Sequence, residues 1–118
     1  MNMKEFVNKI QIQLNNNSES GVPIKLFVDD FKFMPTPENH NAGILYNCDL
    51  TLYLETPSED VVSLLKREKT GVVTLFDSDM KGYNLGSDSI PAKIHLVEHL
   101  TKSTLFIKCY MIHNPLSS

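Results

Sequence analysis

The sequence predicts an α+β domain, with an antiparallel or mixed sheet of about five strands carrying an N-terminal helix and a second helix packed on it. Three observations lead there. The opening residues place Met3, Phe6, Val7, Ile10 and Leu14 at helical spacing. The stretch TPSEDVVSLLKREK begins with helix-start chemistry and ends on cations before a glycine. Around these lie runs of alternating apolar and polar residues with short links, which favour antiparallel neighbours. The predicted order is α–β–β–α–β–β–β, in one domain covering residues 1–118.

The opening helix would carry Lys4, Lys9, Gln11 and Gln13 on its wet side, and residues 15–21 read as a polar loop. In VPIKLFVDDFKFM, Ile24, Leu26 and Val28 share one parity, while Phe31 and Phe33 have the other. A β-bulge at Asp29-Asp30 would restore the phase, and two short strands with a break are the alternative. PTPENHNAG, residues 35–43, reads as a loop and a contact element, because its prolines, asparagines and glycine oppose regular pairing.

ILYNCDLTLYLE reads as one strand, with Ile44, Tyr46, Cys48, Leu50, Leu52 and Leu54 facing the core. In the second helix, Thr56 and Glu59 form a capping box, Pro57 suits the first helical position, and Val61, Val62, Leu64 and Leu65 supply the apolar side. Lys66, Arg67 and Lys69 suit the negative end of the helix dipole, and Gly71 reads as the stop. Strands follow over residues 72–76, 89–100 and 104–113. In the last, Leu105, Ile107, Cys109 and Met111 face one way, and Phe106, Tyr110 and Ile112 the other. Such a strand is either covered on both faces or contributes to an assembly surface.

Composition narrows the functional classes. At 42% hydrophobic and 21% charged, the chain has the apolar content of a folded domain rather than a disordered one. A net charge of -3 gives no basic excess for neutralising phosphates, so nucleic acid is not an expected partner. No run reaches the roughly 18 apolar residues of a membrane span. The start MNMKEFVNKI lacks the continuous apolar segment of a signal peptide. The expectation is a soluble cytoplasmic product. Cys48 and Cys109 fall in apolar runs and read as reduced, buried thiols, with a disulfide open to them if their strands are neighbours.

The candidate chemical motifs fail on geometry. DSDMKGYNLGSD places Asp77, Asp79, Gly82 and Asp88 near calcium-loop positions, but Lys81 occupies a ligand place and the flanks read as strands. A polar turn is the better reading. His95 and His99, four apart in a strand, would lie roughly 13 Å apart and cannot share an ion. Asp29 and Asp30, adjacent in a strand, point to opposite faces. Cys48 has no histidine near it in sequence to make a nucleophile pair. A glycine-rich phosphate loop and a Gly-x-Ser-x-Gly elbow are both missing from the sequence. No catalytic, cofactor or metal residue is expected, and the candidates that remain are interface residues: Phe106, Tyr110, Ile112, Pro35, Pro37 and His40.

The opening helix MKEFVNKIQIQL, the strand pair ending in ILYNCDLTLYLE, the helix TPSEDVVSLLKREK and the closing strands together resemble the tail terminator (tail completion) proteins of long-tailed bacteriophages, over most of the chain. The resemblance implies a non-enzymatic virion protein. It would form a ring, commonly a hexamer, that caps the tail tube and joins it to the head–tail connector, in the host cytoplasm during assembly and then in the virion. The alternative is a small intracellular protein-binding module, an inhibitor or adaptor, acting through residues 35–43 or a sheet edge.

Overall fold

The computed structural model describes residues 4–6, 9–15, 23–41, 43–87 and 90–116. Its strands are β1 (Lys4–Phe6), β2 (Lys9–Leu14), β3 (Ile24–Phe27), β4 (Phe31–Phe33), β5 (Thr36–His40), β6 (Gly43–Asn47), β7 (Leu50–Leu54), β8 (Lys69–Phe76), β9 (Gly82–Leu85), β10 (Ala92–Glu98), β11 (Ser103–Lys108) and β12 (Tyr110–Met111). One seven-residue helix, α1 (Glu59–Leu65), lies between β7 and β8. The molecule is therefore mostly β and antiparallel, which corrects the α+β expectation of two packed helices.

The N-terminal helix is the largest correction, and Ile12 explains it. Phe6, Ile10 and Leu14 are four apart, a spacing that helical and strand periods both accommodate. Ile10, Ile12 and Leu14 are buried, whereas Lys9, Gln11 and Gln13 are half-buried, which is period two. Two β-branched isoleucines favour the strand, and β2 is paired on both edges, by β3 and β8. Met3, Val7 and the loop residues 16–21 lie outside the described residues.

The main sheet runs β3-β2-β8-β10-β11-β7, with β9 also on β8. It curls until its two ends touch. The Asp29 N–H, just beyond β3, donates to the Tyr53 carbonyl of β7 at 2.7 Å, and Lys102 Nζ meets Asp29 Oδ2 at 2.6 Å. Inside the curl, Ile10, Ile12, Leu52, Leu54, Val73, Leu75, Leu85, Ile94, Leu105 and Ile107 form one buried cluster. β3 lies in this sheet whereas β4 pairs with β1 in a separate two-stranded one, so the parity change at Asp29-Asp30 is a break between strands and not a bulge.

The helix lies against β10 and buries Leu65 completely. Its N-cap is Ser58, not Thr56, and no side chain caps it. The Thr56 hydroxyl instead lies 3.0 Å from Ser103 Oγ. No basic residue occupies the last turn, because the helix ends at Leu65 and Lys69 already belongs to β8. Gly71, expected to stop the helix, is the third residue of that strand, between β2 and β10. It permits a close approach: a Cβ there would sit 2.3 Å from the Gln13 carbonyl oxygen. Gly86 packs nearby at φ +94°, where a Cβ would meet the Gly71 carbonyl oxygen at 3.0 Å.

A second sheet runs β12-β6-β5. Residues 35–43 are accordingly not a loop. Thr36–His40 pairs with β6, and Pro37 is accommodated because β5 is an edge strand, where a missing N–H breaks no ladder. The run 44–55 is two strands, since β6 lies in the small sheet and β7 in the large one. The closing run divides in the same way into β11 and β12. The two runs remain one ribbon. The register Asn47↔Tyr110 continues as Leu50↔Ile107 across the break. At the break, the Cys48 N–H donates to the Cys109 carbonyl at 2.8 Å, and the Cys109 N–H turns to Asp49 Oδ1 at 2.9 Å.

Candidate functional site

Strand alternation on β5, β6 and β12 sets which expected contact residues meet. Glu38, His40, Asn47 and Tyr110 fall on one face of the small sheet. The His40 and Tyr110 rings meet edge to face at 5.2 Å. Glu38 joins them: Tyr110 OH donates to Oε1 at 3.4 Å, His40 Nε2 lies 3.4 Å from the same oxygen, and Asn47 Nδ2 donates to Oε2 at 3.0 Å. The charge of Glu38 is the main cause that raises the Tyr110 phenol above its ordinary pKa, so the phenol stays protonated and keeps donating at neutral pH. His40 and Tyr110 are exposed, Glu38 and Asn47 are half-buried, and the four satisfy one another. It has the chemistry of a polar contact surface.

The other expected contact residues lie elsewhere. Pro37 pairs with Tyr46 and takes the opposite face of the small sheet. Pro35 is buried. Ile112 is exposed beyond the end of β12. Phe106 sits on the outer face of the large sheet, stacked on His95 with ring centroids 6.3 Å apart.

That outer face holds what the sequence reading missed. Phe106 is opposite Thr51, and Thr104 is opposite Tyr53, so Tyr53 and Phe106 are diagonal neighbours on one surface. Tyr53 is 53% exposed and Phe27 69%. Phe27 precedes by two residues the point where Asp29 meets Tyr53. Phe27 and Tyr53 therefore flank the meeting of the two sheet ends, and Phe106 and His95 continue from Tyr53 along the same face. Parity puts Tyr53 on the side of its strand away from Leu52 and Leu54. The usable signal was an aromatic in a position that alternation reserves for polar residues.

The question raised by residues 77–88 has a structural answer. They begin a β8–β9 hairpin, in which Met80 takes φ 62° and its N–H donates to the Asp77 carbonyl at 2.9 Å. Asp77 is buried, and its carboxylate accepts from the Asp79 N–H at 2.9 Å, the Lys81 N–H at 3.0 Å and Tyr83 OH at 3.1 Å. Its oxygens organise the turn. Asp88 lies outside the described residues. Millimolar calcium is expected to leave the melting midpoint unchanged. A saturable upward shift would show that the segment binds the ion after all.

The remaining candidates have plain roles. His95 is on strand β10 and His99 follows its end, as strand spacing requires for two separated side chains. Asp29 is paired with Lys102. Among the described residues no three His, Cys, Asp or Glu side chains cluster closely enough to hold a metal. Cys48 and Cys109 are buried free thiols. Burial pushes both up, Cys48 to about 12 and Cys109 to about 11, with the neighbouring Cys109 and Asp49 adding to the first and Asp49 to the second. That is the opposite of an activated nucleophile. No helix is long and apolar enough to cross a membrane among the described residues. Comparison with protein-family models, curated proteins and solved structures returns no match.

Proposed function

We propose that this chain is a non-catalytic assembly protein that associates with copies of itself through the outer face bearing Phe27, Tyr53 and Phe106. The observation that carries this is the exposure of those three rings at 69%, 53% and 37%, around the place where the sheet's ends meet. Exposed aromatic side chains on one sheet face favour a partner that removes them from water. The ends of β3 and β7 close on each other there through the Asp29–Tyr53 hydrogen bond, so a second chain would find apolar area rather than a free strand edge. A ring that caps a phage tail tube, as the tail-terminator resemblance implies, is one setting for such association. Of the elements carrying that resemblance, the short helix and the closing strands are present, and the opening helix is replaced by strands.

Light scattering across a concentration series tests the reading. The parent is expected to assemble, and the double variant Tyr53→Asp/Phe106→Asp to associate about tenfold or more weakly, a difference of about 1.4 kcal/mol. Both side chains are exposed, so the variant should retain the parent's circular dichroism and melting. A parent that stays monomeric at high concentration overturns the proposal, as does a folded variant that assembles like the parent.

A further inference from the structure

We infer that Cys48 and Cys109 are a modification site: a cross-strand pair that closes into a reversible disulfide and clamps the ribbon where it passes between the two sheets. Register carries this inference. Asn47 pairs with Tyr110 on one side of the break and Leu50 with Ile107 on the other, at the same offset, so Cys48 falls opposite Cys109. The 2.8 Å bond from the Cys48 N–H to the Cys109 carbonyl holds the two backbones together at that point. Directly opposed residues of an antiparallel pair have Cα atoms about 4.5–5.5 Å apart, within the roughly 4.4–6.8 Å that a disulfide bridges. Opposed residues of an antiparallel ribbon share a face, and both side chains are buried there, at 0% and 3% exposure. These are the two cysteines of the sequence, and both are free thiols here.

The ribbon also provides access. Cys109 lines an open cleft of about 410 Å³ with Asp49, Pro91, Lys93, Lys108 and Tyr110. Cys109 borders this cleft and Cys48 does not, so a small peroxide reaching the buried pair from there comes to Cys109 first. The Cys109 thiolate attacks a peroxide oxygen, the O–O bond breaks, and hydroxide leaves to be protonated to water, giving a sulfenic acid. The Cys48 sulfur then attacks the Cys109 sulfur, loses its proton, and displaces a second hydroxide that becomes water. Two thiols and one peroxide give one disulfide and two waters. Because burial keeps both thiols protonated at neutral pH, the reaction is slow there and speeds up about tenfold per pH unit as the thiolate fraction grows. The pair thus responds to sustained oxidation. Once closed, it fixes the small sheet, with Glu38, His40 and Tyr110, to the large one.

The folded protein is treated with hydrogen peroxide without denaturant, quenched in acid, alkylated and weighed. The expected result is joint loss of both alkylatable thiols, a monomer lighter by two hydrogens, a peptide linking Cys48 to Cys109, and recovery of both thiols with dithiothreitol. The oxidised form is expected to melt higher than the reduced form. Three outcomes overturn the inference: two alkylatable thiols surviving an exposure that fully oxidises glutathione, sulfinic or sulfonic adducts in place of a link, or a bridge that forms only in denaturant or only between chains.

Discussion

Gly71→Val is expected to cost about 3 kcal/mol or more, the upper end for forcing extra atoms into a packed core. Strand propensity alone points the other way, since valine is a better strand residue than glycine by up to about 1 kcal/mol. Sterics override it. The first added carbon would lie 2.3 Å from the Gln13 carbonyl oxygen and 3.0 Å from Leu14 Cα, and both are backbone atoms of the paired strand β2. Neither can swing aside as a side-chain tip would, so β2 and β8 must separate. Gly71 is also paired with Ala92, so the disturbance reaches β10. Urea unfolding checks this. A loss under roughly 0.5 kcal/mol, the scatter of neutral substitutions, would show that the strands have room to part.

Leu65→Ala is expected to cost about 2–5 kcal/mol, the range for a buried leucine. Leu65 is fully buried, whereas Val61, Val62 and Leu64 of the same helix are only partly so. α1 has seven residues and no side-chain cap, so packing rather than intrinsic helix stability holds it. Leu65 is therefore its one fully buried anchor, with Val61, Val62 and Leu64 packed less deeply. Ser63→Ala, on the exposed side, is the control and should stay within about 0.5 kcal/mol. If Leu65→Ala behaves like the control, the helix is held by something other than its leucine.

The sequence made the later part of the fold more legible than the beginning. Leu52 and Leu54, Ile94 and Leu96, and Leu105 and Ile107 alternate cleanly, and each pair is buried as parity required. Leu65 falls on the apolar side of its helix with Val61, Val62 and Leu64, and it is buried. The opening failed because Phe6, Ile10 and Leu14 suit two periods, and the deciding evidence at Ile12 is tertiary: pairing on both edges of β2. Residues 35–43 failed because prolines oppose pairing in a central strand, but not on the edge that β5 occupies. Sheet changes within a run leave no mark on alternation. The parity of Tyr46, Cys48 and Leu50 is unbroken even though β6 and β7 belong to different sheets. Of the candidate contact residues, His40 and Tyr110 were both named, but their meeting depends on β12 pairing with β6, and Glu38 between them went unnoticed.

The ribbon that links the two sheets also sets a timetable. β7 ends at Leu54 and its partner β11 begins at Ser103, 49 residues later (103 − 54). At a synthesis rate of about 5–20 residues per second, β7 waits roughly 2–10 s for the strand that covers it. During that interval Cys48, Leu52 and Leu54 have been made and their ribbon partner has not. The hairpins β8–β9 and β10–β11 close over much shorter stretches of chain, so they can form as they emerge, whereas this face must stay clear of other nascent chains until β11 arrives. Exposure to misassembly is thus set by the interval between the synthesis of β7 and that of β11.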